Sequence, residues 1–584
     1  MKILKNDAFL LFILVLSVFV LFSNKRPTTS MDIDVVNAAK NLYETGSYGA
    51  ESALSSGIVY SPKTDKFYPL EGPMVVIPVY LTYSFSKLIS SDSLFPMYMT
   101  NQILSAFAVM FLYLTLKIVT CRKKSLVIAL LFAFATPVFV HSKYLLPEPA
   151  TMMVFSGALY FYFKYFYDGF KPIYLNFSVI FTLLSLHARP DSPIFVGLFS
   201  FLIIAMLIKF KKLKTHFFYF FIPALFFLAQ FLVGNYSRFG SIFETGYTVK
   251  RDAMTSTLEV KIQSQQNELD ELYDILKIEY DKNPKGDLTA NLYAKYQAKT
   301  EILKSREKFY KETKNREKEY GAKPSTIQIN SIGNYFYGLI LSLIYPNRSI
   351  IFLSPFIIFL IPLTISFYKK YKFETLFILG TFFLYLSLYS LRAPNSYAGS
   401  AAWGVRYLLP MYPLFFILFG AKIPEFYKKT LLYKMVLPAL MGLSVIFQII
   451  GSAVNYQSVQ MPLEYVCKQK YGTSDMTWAH ESRKELMTSF RASLLLNNLN
   501  IIFKNPPSVM KYYLDQQTYK RIKSENLMNS EINDWFFLDL LTEGDLAKVE
   551  KPSLFKLLLL IIIATAIYSG FSLFKIIGND KKAV

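Results

Sequence analysis

Cysteine is nearly absent: Cys121 and Cys467 are the only two in 584 residues. That excludes a disulfide framework and a thiolate metal site, and the topology derived below puts the pair on opposite sides of a membrane. Charge is scarce too, at 18% of residues, whereas soluble proteins run to about a quarter. No group of His, Asp and Glu has ligand-like spacing and His480 is isolated, so no metal is expected. Internal repeats and low-complexity tracts are missing. No small-x-small cleavage site closes the apolar stretch 8–23, which therefore reads as an uncleaved first helix.

What is present is apolar sequence in long runs. Hydrophobic residues make up 53% and aromatics 17%. Stretches 126–142, 350–367 and 554–574 carry almost no ionised side chain, and each matches a bilayer-spanning helix in length. Backbone in hydrocarbon must satisfy its own hydrogen bonds, so such runs are helices rather than short barrel strands. The net charge of +22 does not signal a nucleic-acid partner. Its lysines and arginines sit in short clusters between apolar runs, the pattern of cytoplasmic loops.

Twelve spans follow: 8–23, 97–119, 126–142, 151–167, 173–187, 193–208, 217–233, 350–367, 376–391, 407–420, 435–453 and 554–574. Basic clusters at Arg122/Lys123/Lys124, Lys209–Lys214, Lys369–Lys372 and Lys422–Lys429 occupy every second loop, and Lys581/Lys582 end the chain. These belong in the cytoplasm, leaving the long loops 24–96, 234–349 and 454–553 outside. Stretch 74–90 is apolar enough to be a thirteenth span. It is short and holds Pro78, Ser84, Ser86, Lys87 and several tyrosines, so it reads as a helix lying against or dipping into the outer face. Were it to cross, the amino terminus and loop 24–73 would change sides. The flanking charges do not decide, because Lys2/Lys5 oppose Lys25/Arg26.

The second outer loop has its own pattern. Leu258, Ile262, Leu269, Leu272 and Leu276 follow a 4-3 spacing with Gln265 as the one gap, which resumes weakly at Leu292, Tyr296, Leu303 and Tyr310 after the turn Asn283-Pro284-Lys285-Gly286-Asp287. This predicts an antiparallel helical hairpin, a spacer or partner-docking arm. The expected organisation is an all-α membrane module over 1–250 with its first outer loop at 24–96. The hairpin insertion at 251–325 follows, then the rest of the module at 326–455, an outer loop domain at 456–553 and a last helix with tail at 554–584.

Ionisable residues at span ends are functional candidates, because burying them is costly. Here they collect on the outer face. Asp32 and Asp34 follow the first span, Glu148 lies between Pro147 and Pro149, and Arg189 and Asp191 share a tight turn. Arg348 precedes the eighth span, while Trp403, Arg406 and Tyr407 open the tenth. Each has a plainer reading. The acids are suited to capping helices, and the arginines to anchoring at an interface.

In order, these positions resemble the GT-C superfamily of membrane glycosyltransferases, which use polyprenyl-phosphate-linked sugars and include protein mannosyltransferases and lipid-A aminoarabinose transferases. The similarity begins with the acid after the first span and runs through Tyr68-Pro69-Leu70-Glu71-Gly72-Pro73 with its juxtamembrane stretch. It continues in Pro147-Glu148-Pro149, Arg189-Pro190, and Arg238-Phe239-Gly240-Ser241 with Gly246-Tyr247. It ends in Tyr345-Pro346-Asn347-Arg348 before Ser354-Pro355, and Trp403-Gly404-Val405-Arg406-Tyr407-Leu408-Leu409-Pro410. Residues 1–455 are covered.

The resemblance implies a GT-C-like bundle of about twelve helices in a plasma membrane, with an outward-facing site that transfers sugar with inversion. A lipid phosphate is already a good leaving group, so one carboxylate suffices to deprotonate the acceptor hydroxyl. Cations offset charge on the departing phosphate, a task that suits arginine. Asp32 takes the place of the family's base, with Asp34 as second choice. The family often has two acids or an acid and polar residues there, and the intervening Ile33 leaves the two open. Glu148 resembles the acid that orients sugar or acceptor, and Arg189, Arg348 and Arg406 resemble phosphate binders, Arg406 foremost. The lipid-linked sugar is a substrate and no cofactor is implied; the acceptor is a glycan, lipid or protein. Loop 454–553, with Trp478, His480 and Asp534-Trp535-Phe536-Phe537, suits a cover or an acceptor selector. Two other classes stay open: a transporter or flippase for a lipid-linked saccharide, and a scaffold whose hairpin recruits a partner. A transporter would place charges near the midplane in paired halves.

Overall fold

The computed structural model describes residues 6–23, 30–51, 58–70, 72–88, 95–246, 251–320, 332–345, 349–391, 403–422, 430–454, 465–466, 493–503, 507, 516–517, 520 and 552–579. Cys467, Arg348, Trp478, His480 and the stretch 534–537 lie outside them.

The chain forms two compact units, one of 1–29, 85–227 and 327–584, the other of 30–84 and 228–326. Their elements interleave. First come α1 (Asp7–Leu21), α2 (Ser30–Thr45), the strands β1 (Ile58–Ser61) and β2 (Lys66–Pro69), and α3 (Pro73–Leu88). Next are α4 (Thr100–Val119), α5 (Arg122–Phe134), α6 (Pro147–Tyr167), α7 (Pro172–Leu184), α8 (Ser192–Lys209) and α9 (Leu213–Phe239). Two long helices follow, α10 (Arg251–Lys282) and α11 (Asp287–Tyr320). The remainder is α12 (Ile332–Leu343), α13 (Leu360–Lys370), α14 (Lys372–Leu391), α15 (Tyr412–Leu418), α16 (Leu437–Ser452), α17 (Leu494–Ile502) and α18 (Pro552–Asn579).

Among the described residues, six helices are long and apolar enough to cross a bilayer: α4, α8, α9, α14, α16 and α18. They account for six of the twelve expected spans. The other six take different forms. Helices α1 and α7 are short. Helix α6 spans 21 residues, but Pro147, Glu148 and Pro149 at its amino end and Lys164 with four tyrosines toward its carboxyl end make it less apolar. Three runs expected to be single helices are broken or tightened. Stretch 126–142 divides at Thr136-Pro137, because proline lacks the N–H and clashes with the preceding turn. Stretch 350–367 breaks at Ser354-Pro355 and continues as a 3₁₀ turn, Pro355–Phe359, into α13. Stretch 407–420 begins as a 3₁₀ segment, Arg406–Met411, that contains Pro410.

Two ends of the first unit can be told apart. At one, the buried carboxylate of Asp7 accepts hydrogen bonds from Arg122 at 2.6 and 2.7 Å and from the Tyr113 hydroxyl at 2.7 Å. Nearby, Glu374 accepts from Tyr162 and Tyr167 at 2.8 and 2.5 Å. Lys117, Arg122, Lys124 and Lys370 lie at this end of α4, α5 and α13. At the other end, Phe22 meets Phe139 with centroids 5.4 Å apart. Helix α1 therefore runs from the lysine-rich end to the end that holds residues 139–148, and pairs along its length with α18, where Ser17 meets Thr565 at 3.2 Å.

In the second unit, β1 and β2 form an antiparallel hairpin in the register Ile58 to Pro69 and Ser61 to Lys66. Its core joins Val59, Tyr60, Phe67 and Tyr68 to Phe239, Leu258 and Phe309. Two motifs distant in sequence thus meet: Tyr68 packs edge-on against Phe239 at 5.6 Å, and Ser61 donates to the Arg238 carbonyl at 2.5 Å. Buried Arg306 reaches back to Asp65 at 3.0 Å. Helices α10 and α11 join through a turn at 283–286 and pack side by side, with Leu258, Leu269, Leu272, Leu276 and Leu303 buried. Helix α2 ends at Gly46, whose φ of +69° suits a residue without a Cβ. Tyr43 of α2 packs on Tyr80 and Tyr83 of α3. Helix α3 buries Val75, Val76, Val79 and Tyr83 and exposes Ile77, Leu81, Phe85 and Leu88, one stripe of greasy side chains.

Candidate active site

The end of the first unit opposite its lysines holds a buried cluster of charge. It begins at α6. Pro147 stands where a helix tolerates proline best, and Glu148 sits in the first turn, where the backbone dipole favours an acid. The preceding segment is held from α4: Asn101 donates to the carbonyls of Tyr144 and Leu146 at 2.5 and 2.8 Å. Glu148 is wholly buried.

Its Oε1 lies 3.3 Å from Nη1 of Arg189 and 3.1 Å from Nε of Arg406. Oε2, equally buried, has no hydrogen-bond partner among the described residues. Arg189 is gripped elsewhere as well. Its Nε and Nη2 donate to the two oxygens of Asp191 at 2.9 and 2.8 Å, and Nη2 also donates to the Tyr389 hydroxyl at 2.6 Å. That hydroxyl donates in turn to Asp191. Tyr385 donates to the Asp191 carbonyl at 3.0 Å. Burial disfavours the charge on Arg189, but Asp191, Tyr389 and Glu148 outweigh it and raise its pKa well above the ordinary arginine value. Two cations, Arg189 and Arg406, and two anions, Glu148 and Asp191, offset one another in a buried site, where a lone charge would be costly.

Tyr407 ties the two arginines together. Its ring lies 5.5 Å from the Arg189 guanidinium and 5.0 Å from that of Arg406, and it stacks on Tyr389 at 4.7 Å with planes 15° apart. The turn that presents Arg406 depends on Gly404, at φ +72°, where a Cβ would stand 3.2 Å from Pro137. Trp403 anchors that turn. Its carbonyl meets His141 Nε2 at 2.7 Å and its indole donates to Gln448 at 2.9 Å, while Gln448 donates to the Leu353 carbonyl at 2.8 Å. The indole lies flush on α16: a Cβ at Gly451 would come within 2.4 Å of it. Buried Lys143 donates to the Ser452 carbonyl at 2.8 Å.

Four of the expected site residues, Glu148, Arg189, Arg406 and Tyr407, therefore share one cluster, and Trp403 supports it from behind. Asp191 and Tyr389 complete it; Asp191 was visible as the neighbour of Arg189, but nothing local marks Tyr389. Arg348 lies outside the described residues. Asp32 and Asp34 belong to the second unit, both buried in the first turns of α2. Two residues apart on a helix, they point about 200° from each other. No group of three or more metal-ligating side chains occurs among the described residues.

These features define an α-helical integral membrane protein with a buried, charge-balanced site at one end of its helices. No family model and no curated protein matches the sequence. Among solved structures, the chain is similar to the oligosaccharyltransferase of Archaeoglobus fulgidus in its apo form, with a TM-score of 0.43 and 12% identity over 83% of this chain and 60% of that one. It is also similar to the same organism's AglB bound to an inhibitory peptide and a dolichol-phosphate, with a TM-score of 0.43 and 11% identity over 89% and 68%. The chain thus spans about three-fifths of the first of these relatives.

Proposed function

We propose that this protein is a membrane glycosyltransferase of the GT-C type. It moves a sugar from a polyprenyl-phosphate donor to an acceptor on the extracytoplasmic face of a plasma membrane, with inversion. The observation that carries the reading is Glu148: a fully buried carboxylate that spends one oxygen on two arginines and leaves the other without a hydrogen-bond partner among the described residues. A carboxylate oxygen buried without a hydrogen bond is costly, and it is kept where a ligand supplies the missing donor. A sugar hydroxyl is such a donor.

In this reading Glu148 orients the sugar. Arg189 is committed to Asp191 and Tyr389, so it holds Glu148 in place, and Arg406 faces the phosphate, with Arg348 as a second cation. The acceptor oxygen attacks the anomeric carbon from the side opposite the phosphate. Its proton passes to an aspartate of the first loop, Asp32 or Asp34, and the C–O bond electrons leave with the lipid phosphate. A first-loop base rests on the sequence resemblance, in which an acid soon after the first span takes that place. Hairpin 251–325 serves as a docking arm for a partner, and the acceptor is a glycan, lipid or protein.

The test is transfer of radiolabelled sugar from a polyprenyl phosphate in membranes carrying the wild type, Glu148→Gln or Arg406→Ala. Loss in both variants at normal protein level supports the reading; full transfer in both removes the cluster from catalysis. A flippase would move the lipid-linked sugar across vesicles while forming no new glycosidic bond.

A further inference from the structure

Two cavities at the lysine-rich end of the first unit share a side chain. The first, of about 430 Å³, is lined by Lys124, Lys370 and Lys422 together with Ser366 and Tyr371. The second, of about 130 Å³, is lined by Val127, Ile128, Leu131, Phe359, Leu363 and Met441, among others. Lys124 borders both. Among the described residues, no acidic side chain lines either one.

The junction is built rather than accidental. The turn after α15 is fixed from two sides: Ser366 donates to the Lys422 carbonyl at 2.7 Å, and the Lys124 ammonium donates to the carbonyl of Ala421. Gly420 lets that turn close on α4, since a Cβ there would lie 2.8 Å from Val119. Ile358, Ile361 and Ile365 flank the site on the exposed side of the same segment, a surface that suits lipid chains.

We infer that the paired cavities bind an anionic phospholipid, its phosphate among the three ammonium groups and one acyl chain in the apolar cavity. Charge and polarity select this occupant. A zwitterionic lipid brings a cation that three lysines repel, and a soluble phosphate compound has no use for the apolar wall. Membrane lipid is also the solvent of the helices that frame the site. The site lies beyond the carboxyl end of α4, whereas Asn101 at the amino end supports Glu148; the 20 residues between ends of that helix separate the two by about 30 Å. This lipid is therefore distinct from any substrate of the Glu148 cluster.

Native mass spectrometry of the full chain in neutral detergent tests the inference, with phosphatidylglycerol, phosphatidylcholine of the same chains, and glycerol 3-phosphate as probes. Phosphatidylglycerol should bind tightest. Lys370 and Lys422 are exposed, so Lys370→Gln/Lys422→Gln should leave the fold intact and weaken that binding roughly 30-fold, each surface lysine contributing about a factor of five. Val127→Trp should weaken it through the apolar cavity without touching the lysines. Equal binding of phosphatidylcholine, an unchanged affinity in the double lysine variant, or displacement of the lipid by millimolar glycerol 3-phosphate would each overturn the assignment.

Discussion

Glu148 and Arg406 meet at 3.1 Å, although one opens a helix early in the chain and the other begins a 3₁₀ turn late in it. The pair is buried, so removing Arg406 takes one of two cations from Glu148 and leaves Arg189 as the other. Arg406→Ala should lower kcat by about 10²–10³, the usual loss when one preorganised electrostatic group is taken from a transition state. Arg406→Lys should recover only part of this, because an ammonium lacks the planar fork. An unchanged kcat for the alanine variant in a purified assay would remove Arg406 from the site.

Tyr389 offers a separate reading of the same cluster. Its hydroxyl accepts from Arg189 and donates to Asp191, so Tyr389→Phe deletes a charge-assisted link while keeping the stack on Tyr407. The expected cost is about 1.5–3 kcal/mol of stability, read as a lowered melting temperature in detergent. Arg189 would then be less firmly held, and KM should rise if Glu148 orients the sugar through it. A melting temperature equal to the wild type would show that the hydroxyl is dispensable.

Gly451 tests the support behind Arg406. Any side chain there collides with the Trp403 indole, which a Cβ would approach to 2.4 Å. Gly451→Ala should displace Trp403, break its bond to Gln448 and destabilise the protein by about 1–3 kcal/mol through overpacking. Trp403 should also become more accessible to a fluorescence quencher. Unaltered quenching and stability would contradict the packing described here.

How much of this was legible in the sequence depends on the range of the signal. The turn at 283–286 and the helices around it could be read, because Asn-Pro-Lys-Gly and the 4-3 leucines are local. Glu148 was legible for the same reason, as an acid between prolines at a helix start. The breaks at Thr136-Pro137 and Ser354-Pro355 were written in the prolines, yet the hydrophobic run alone suggested continuous helices. The β-hairpin was missed: Ile58-Val59-Tyr60 and Phe67-Tyr68 are short, and their burial comes from Phe239, Leu258 and Phe309 far along the chain. Partnerships such as Tyr389 with Arg189 leave no periodic trace at all. Only the fold brings them within reach.

Sidedness is checked by the chain's own chemistry. Asp7 bonded to Arg122 fixes the amino end of α1 beside the basic loop, and Cys121 is exposed in that loop. If basic loops face the cytoplasm, a membrane-impermeant maleimide should label Cys121 only after permeabilisation. In a variant without native cysteines, Glu51→Cys should react from outside in intact cells. Labelling of position 51 only from within would place the first loop in the cytoplasm and end its candidacy for supplying the base.

The two aspartates of α2 should behave unequally. Their side chains leave the helix about 200° apart, so one site can face only one of them, although both are buried. Replacing the true base with asparagine should cost about 10²–10⁴ in transfer rate, with donor binding unchanged. Replacing the other should act mainly on stability, visible as a lower melting temperature with kcat retained in the surviving protein. Asp32 is expected to be the base, since it stands nearest the helix start in the position the superfamily resemblance marks. The reverse pattern would transfer the role to Asp34, whereas full transfer by Asp32→Asn, Asp34→Asn and the double variant would leave proton abstraction to a group outside α2.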